Sequence, residues 1–174
     1  MAIGSFSDDD EIRKKKKLTP RQALVKMMKY CAYQERSQHE VRQKLFEHGL
    51  YSSDIEEIIS ELIVEGFINE ERFAIAFAGG KFRVKSWGRI KIKHALQQHK
   101  ISDYCMKKAM QAIDEEKYLE SLKLILQSKW DKLRGKSDYE RRNLTARFAQ
   151  TKGFESELIW QILREDGDFT SENG

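Results

Sequence analysis

Three times along this chain a helix-length run stops in the same way. Leu45-x-x-x-Gly49-Leu50 is followed by Ile55 and Ile58, Leu96-x-x-x-Lys100-Ile101 by Met106 and Ala109, and Ala149-x-x-x-Gly153-Phe154 by Ile159 and Ile162. The three starts lie 51 and 53 residues apart, and the step from the stop to the following apolar pair is identical each time. A period near fifty residues marks a tandem array of supersecondary units. One proline and ten glycines in 174 residues leave few turn signals for a β fold. At 40% apolar and 34% charged residues, a surface-rich helical protein is expected.

Helix signals give each unit three helices. Thr19-Pro20 opens the first, and Leu24, Met27, Met28 and Cys31 fall at i, i+3, i+4, i+7. Ser37 with Glu40 predicts a capping box for a second helix that buries Val41 and Leu45 and stops at Gly49. Ser53 with Glu56 predicts a box for a third, carrying Ile55, Ile58, Ile59 and Leu62 and ending at Gly66. In the second unit Asn69 is expected to cap a helix with Phe73, Ala76 and Phe77 inward. In the third, Leu119, Leu122, Leu126, Trp130 and Leu133 share a face, Gly135 stops the helix and Asp138 caps the next. The expected fold is all-α: three tandem three-helix repeats at 20–68, 69–113 and 114–166 in an elongated, curved array about 60 Å long. Residues 1–18 and 167–174 read as charged or polar tails. The alternation in Lys81–Lys85 and Arg89–Lys93 around Ser-Trp-Gly also permits a β-hairpin, but the 3.6 period of Ile92, Ala95, Leu96 and His99 favours helix.

Charge is unevenly distributed. From Arg72 to Ser102 there is no acidic residue, while Arg72, Lys81, Arg83, Lys85, Arg89, Lys91, Lys93 and Lys100 contribute eight positives to a chain of net charge +4. Such a face suits a polyanion or an acidic partner, a solvated basic helix being the alternative.

Signals for chemistry are missing. There is no phosphate-binding loop, no HExxH and no Cys/His cluster, and Gly79-Gly80-Lys81 lacks the spacing and hydroxyl of such a loop. His39, His48, His94 and His99 are spaced as surface residues, and Cys31 and Cys105 as isolated, buried, reduced thiols. The expectation is a cytoplasmic protein with no catalytic residue, metal, cofactor or membrane span, and with no apolar leader at its start.

Arg36-Ser37-x-x-Glu40-Val41-x-x-Lys44-Leu45-x-x-x-Gly49 and Gly66-Phe67-Ile68-Asn69-Glu70-Glu71-Arg72-Phe73-Ala74 resemble the first unit and junction of the RecX family. Lys81-Phe82-Arg83-x-x-x-Trp87-Gly88-Arg89-Ile90-Lys91-Ile92-x-x-Ala95-Leu96 is similar to that family's second unit, and Lys152-Gly153-Phe154 with Ile159 to its third. Lys100, where a glycine is usual, and Ala149, where a large apolar residue is usual, depart from the pattern. The resemblance implies a negative regulator that binds RecA–DNA filaments in the helical groove, and free binding to filaments favours a monomer. It would limit filament growth, strand exchange, ATP hydrolysis and SOS coprotease activity, and bind single- and double-stranded DNA more weakly. Arg72, Lys81, Arg83, Lys85, Trp87, Arg89, Lys91 and Lys93 are the expected contacts, with Arg42, Lys44, Arg141, Arg142 and Arg147 as secondary basic contacts. A stand-alone DNA-binding module acting through phosphates, with Phe82 or Trp87 stacking on bases, is the alternative. An adaptor for an unrelated partner is a third reading.

Overall fold

The computed structural model describes residues 17–169, and these contain nine α-helices and a short 3-10 turn. The first repeat holds α1 (Pro20–Tyr33), α2 (Gln38–Glu47) and α3 (Ser52–Val64); the second holds α4 (Glu70–Lys85), α5 (Arg89–Gln98) and α6 (Asp103–Gln111). The third holds α7 (Glu115–Asp131), α8 (Asp138–Thr151) and α9 (Ser156–Glu165), followed by the turn Gly167–Phe169. No strand occurs among the described residues, so the hairpin reading of 81–93 fails. The apolar residues there do not alternate in burial as a strand would require: Phe82 is buried while Val84 is 76% exposed.

The recurring sequence pattern is a helix stop with a defined hydrogen-bond arrangement. Gly49, Lys100 and Gly153 all sit in the left-handed region, at φ 76°, 59° and 91°. One residue on, the amide donates back to the carbonyl five residues earlier: Leu50 to Leu45, Ile101 to Leu96, Phe154 to Ala149. That is the Schellman closure, which normally adds an apolar contact after the turn. Leu50, Ile101 and Phe154 are accordingly buried, as are the paired residues Leu45, Leu96 and Ala149. The apolar residues that follow, Ile55/Ile58, Met106/Ala109 and Ile159/Ile162, are buried in all three repeats.

Helix starts follow the sequence in part. Thr19 and Ser37 form capping boxes with Gln22 and Glu40. The box expected from Ser53 and Glu56 is absent. There α3 begins at Ser52 behind Tyr51, with no side-chain cap, so Ser53 lies inside the helix and Glu56 bonds instead to Arg42. In the third repeat Ser137 caps α8 through a box with Glu140, one residue before the expected Asp138. Ser102 and Asp114 cap α6 and α7. Glu70, at the start of α4, accepts from the Ser102 amide and hydroxyl at 3.1 and 2.9 Å, tying the first and last helices of the second repeat together.

The chain divides after Asn69 into two compact units, each with its own core. The first packs Met27, Val41, Leu45, Ile55, Ile59 and Leu62. In the second, repeats 2 and 3 share one continuous core running from Phe73 to Phe169. Its α4 face is rotated from the expectation: Phe73, Ala74, Ala78 and Phe82 are buried, whereas Ala76 is exposed. His99 is half-buried rather than fully exposed, packing 5.1 Å from the rings of both Phe73 and Phe77. Of the expected tails, 1–16 and 170–174 lie outside the described residues. Phe169 is buried edge-on against Trp130 at 5.6 Å, so order continues past Glu165.

Candidate functional site

The segment joining α4 to α5 lies where the second repeat meets the third. Ser86, at φ 52°, ends α4, and Trp87-Gly88-Arg89 carry the chain into α5. The first turn of α5 is docked on the stop of α8. The Gly88 amide donates to the Lys152 carbonyl at 2.8 Å and the Ile90 amide to the Gly153 carbonyl at 3.0 Å. These are amides with no partner inside their own helix, so the neighbouring repeat satisfies them. The approach is close enough that a Cβ on Gly88 would strike the Gly153 backbone, and one on Gly153 would strike Lys91.

Tyr118 of α7 completes this joint. Its hydroxyl accepts from the Arg89 amide at 3.0 Å and donates to a Glu155 carboxylate oxygen at 2.5 Å. The ring is fully buried between Phe82 and Phe154. Burial, with the Glu155 carboxylate adding to it, pushes the Tyr118 phenol well above its ordinary pKa. The Arg89 guanidinium lies 4.0 Å from the Tyr118 ring centre and pairs with Glu115 at 2.5 Å and Glu155 at 3.7 Å. Burial opposes its charge, but the hydrogen bond and charge of Glu115, aided by Tyr118 and Glu155, hold its pKa above the usual value.

The expected contact residues therefore separate into two groups. Arg89 is engaged inside the fold. Lys81 and Lys91 flank Trp87 instead, with their ammonium groups 4.9 and 4.8 Å from its ring centre. Trp87 is half-buried, one part against the core and the rest beside these lysines. Arg72, Arg83, Lys85 and Lys93 are exposed on α4 and α5. Lys93 also lines a groove of about 800 Å³ between α5, α6 and the start of α7, floored by Met106, Met110 and Ile113.

Most of the secondary contacts are engaged too. Arg42 makes a two-pronged bond to Glu56 at 2.8 and 3.0 Å, which raises the arginine pKa and lowers that of the carboxyl. Lys44 pairs with Glu47 at 3.1 Å. Arg141 stacks 3.8 Å from the Trp130 ring centre and donates to the Trp130 carbonyl, while Arg142 donates to the carbonyls of Leu163 and Phe169. Arg147 is exposed.

Sequence reasoning missed Tyr118, Glu115 and Glu155, which lie far along the chain from Arg89. It also missed Phe148 of α8, whose ring has Lys129 at 5.2 Å and Lys152 at 5.9 Å. The spacing Phe148–Lys152, one helical turn, was the available signal. No group of three His, Cys, Asp or Glu side chains suited to a metal occurs among the described residues, and no helix there is long and apolar enough to cross a membrane.

Models of the first, second and third three-helix domains of RecX match residues 23–62, 69–110 and 115–163, in that order along the chain. The chain belongs to the RecX family. Regulatory protein RecX of Prosthecochloris aestuarii is 28% identical over 145 residues, covering 83% of this chain and 93% of that protein. Regulatory protein RecX of Bacillus mycoides is 21% identical over 165 residues, covering 95% of this chain and 58% of that one. The chain thus spans little more than half the length of the Bacillus relative. The crystal structure of RecX from Lactobacillus salivarius has a TM-score of 0.76 at 23% identity, covering 84% of this chain and 95% of that one. A second RecX crystal structure gives 0.76 at 20% identity, covering 84% and 72%. Both share the fold. RecX proteins are regulatory rather than catalytic, and membership supports a role in regulating RecA in general.

Proposed function

We propose that this chain is a negative regulator that binds RecA–DNA filaments in their helical groove through the basic face of its second repeat. It limits filament growth, and with it strand exchange, ATP hydrolysis and coprotease activity. The observation that carries the reading is the Trp87 ring set between two lysines, on a stretch without carboxylates from Arg72 to Ser102. A groove binder needs no chemistry of its own. Binding one filament state better than another is enough to shift the equilibrium between them. The acidic α3, with Asp54, Glu57 and Glu61, offers a second surface of opposite sign, which favours orientation and encounter rate over raw affinity. The protein acts as a monomer in the cytoplasm.

The test is RecA-dependent ATP hydrolysis on single-stranded DNA, titrated with the chain and with a Lys81→Glu/Arg83→Glu/Lys85→Glu/Lys91→Glu variant. Arg89 stays unchanged because its reversal would break the joint with Glu115 and Glu155. Inhibition should be lost in the variant, and unchanged inhibition would remove the second repeat from the interface. A stand-alone DNA contact is the second reading, favoured by the aromatic ring between cations. It requires log affinity to fall with log salt at roughly −0.9 per neutralised phosphate on duplex.

A further inference from the structure

We infer that a second aromatic seat, Phe148 between Lys129 and Lys152 in the third repeat, continues the Trp87 seat into one binding track for single-stranded nucleic acid. The inference rests on reading the second-repeat face as a polyanion contact and extends it to residues of α7 and α8.

The two seats have the same makeup. Trp87 has Lys81 and Lys91 at 4.9 and 4.8 Å from its ring centre, and Phe148 has Lys129 and Lys152 at 5.2 and 5.9 Å. They meet at the joint between the repeats. The Lys91 ammonium donates to the Thr151 carbonyl at 3.4 Å, and Thr151 adjoins Lys152 and bonds through its hydroxyl to the Phe148 carbonyl at 2.7 Å. None of the four lysines makes an ion pair among the described residues. The carboxylates that could neutralise the joint, Glu115 and Glu155, are turned to Arg89 and Tyr118. The Trp87 seat of one repeat is thus joined to the Phe148 seat of the next through Lys91, Thr151 and Lys152.

The ligand class follows from what each seat offers. A lysine whose ammonium stays in water beside a half-buried ring gains only about 0.5–1 kcal/mol, so it is readily exchanged for a phosphate. When the ammonium swings to a phosphate, the ring edge or face it leaves is open to an unpaired base. Single strands carry phosphates and free base faces at every nucleotide, and stacking on an aromatic ring tolerates any base. A duplex presents the phosphates but keeps its bases stacked on each other. An acidic protein would use the lysines and gain nothing specific from the rings.

The experiment is fluorescence anisotropy of labelled oligo(dT), and of a duplex of equal length, with the full chain. The variants are Phe148→Leu, which keeps an apolar side chain, Lys129→Gln/Lys152→Gln, and Lys81→Gln/Lys91→Gln, each checked for native helicity. Phe148→Leu should weaken oligo(dT) binding about five- to tenfold and change duplex binding less than about twofold. Both lysine pairs should weaken both ligands. If Phe148→Leu and the Lys129/Lys152 pair leave oligo(dT) binding unchanged while the Lys81/Lys91 pair weakens it, the extension is overturned and the second-repeat reading survives. If no variant weakens it, both readings fall as nucleic-acid contacts. Equal losses on single strand and duplex in Phe148→Leu would overturn base stacking. Loss of RecA inhibition in the Lys81/Lys91 pair with oligo(dT) binding intact would assign the face to protein and overturn the track.

Discussion

Lys100 holds a backbone position that its repeat partners give to glycine. At φ 59° it lies where a Cβ crowds the following carbonyl, at a cost of roughly 1–2 kcal/mol, part of which glycine returns as lost chain entropy. Lys100→Gly is therefore expected to stabilise the second unit by about 0.5–1 kcal/mol, read as a higher urea midpoint with an unchanged slope. Ala149 is the other departure, and it faces Phe154 where the first repeat pairs Leu45 with Leu50: a smaller residue before the turn accompanies a larger one after it. Tyr118 gives the sharpest pH signature. The fold raises its pKa from 10.0, so it favours the neutral phenol. That contribution is complete below pH 10 and is lost as pH rises toward the folded-state value, because the unfolded chain releases its proton first. Tyr118→Phe should cost about 1–3 kcal/mol at neutral pH by leaving the Arg89 amide without its acceptor. In alkaline urea titrations the variant should then lose stability less steeply above pH 10 than the parent.

Helix ends were legible because they are written in a few adjacent residues. The Schellman stops at Gly49, Lys100 and Gly153 need only a left-handed residue and an apolar one after it, and both are visible in the chain. The box expected at Ser53 failed because α3 starts one residue earlier, at Ser52, which puts Ser53 inside the helix, and Glu56 pairs with Arg42, fourteen residues back on another helix. The joint between α5 and α8 makes a contrast between glycines measurable. Gly88 and Gly153 press backbone to backbone, so Gly88→Ala should cost more than about 3 kcal/mol through collision with no flexible group to yield. Gly80, inside α4 with open space around it, should behave oppositely. Gly80→Ala should raise the thermal midpoint, by about 0.8–1 kcal/mol of helix propensity. Differential scanning calorimetry on the two variants checks both signs at once.

At the scale of the whole molecule, three repeats in sequence become two compact units in structure. Repeats 2 and 3 bury a single cluster in which Phe82 of α4 touches Tyr118 of α7, and Tyr118 touches Phe154 before α9. Damage to the third repeat should therefore be felt in the second. Leu122→Ala, at a fully buried site, should cost about 2–5 kcal/mol. In native-state hydrogen exchange it should speed the most protected amides of α4 and α5 as well as those of α7. Acceleration confined to α7 and α8 would mean that the shared core does not unfold as one.

The fold class, the repeat period, the helix stops and the unbroken basic stretch were all set by the order of residues. The helix stops depend only on neighbours within about one or two helical turns, and the period and the basic stretch are read directly along the chain. Which cations remain available for a partner was decided only by tertiary packing. Arg89 and Lys91 stand two apart in the same basic run, and nothing local distinguishes them. Glu115, Glu155 and the Tyr118 hydroxyl enclose the first, whereas the second reaches the Trp87 ring and the end of α8. Charge belongs to a residue, but its pairing belongs to segments far apart in sequence that the shared core brings within reach.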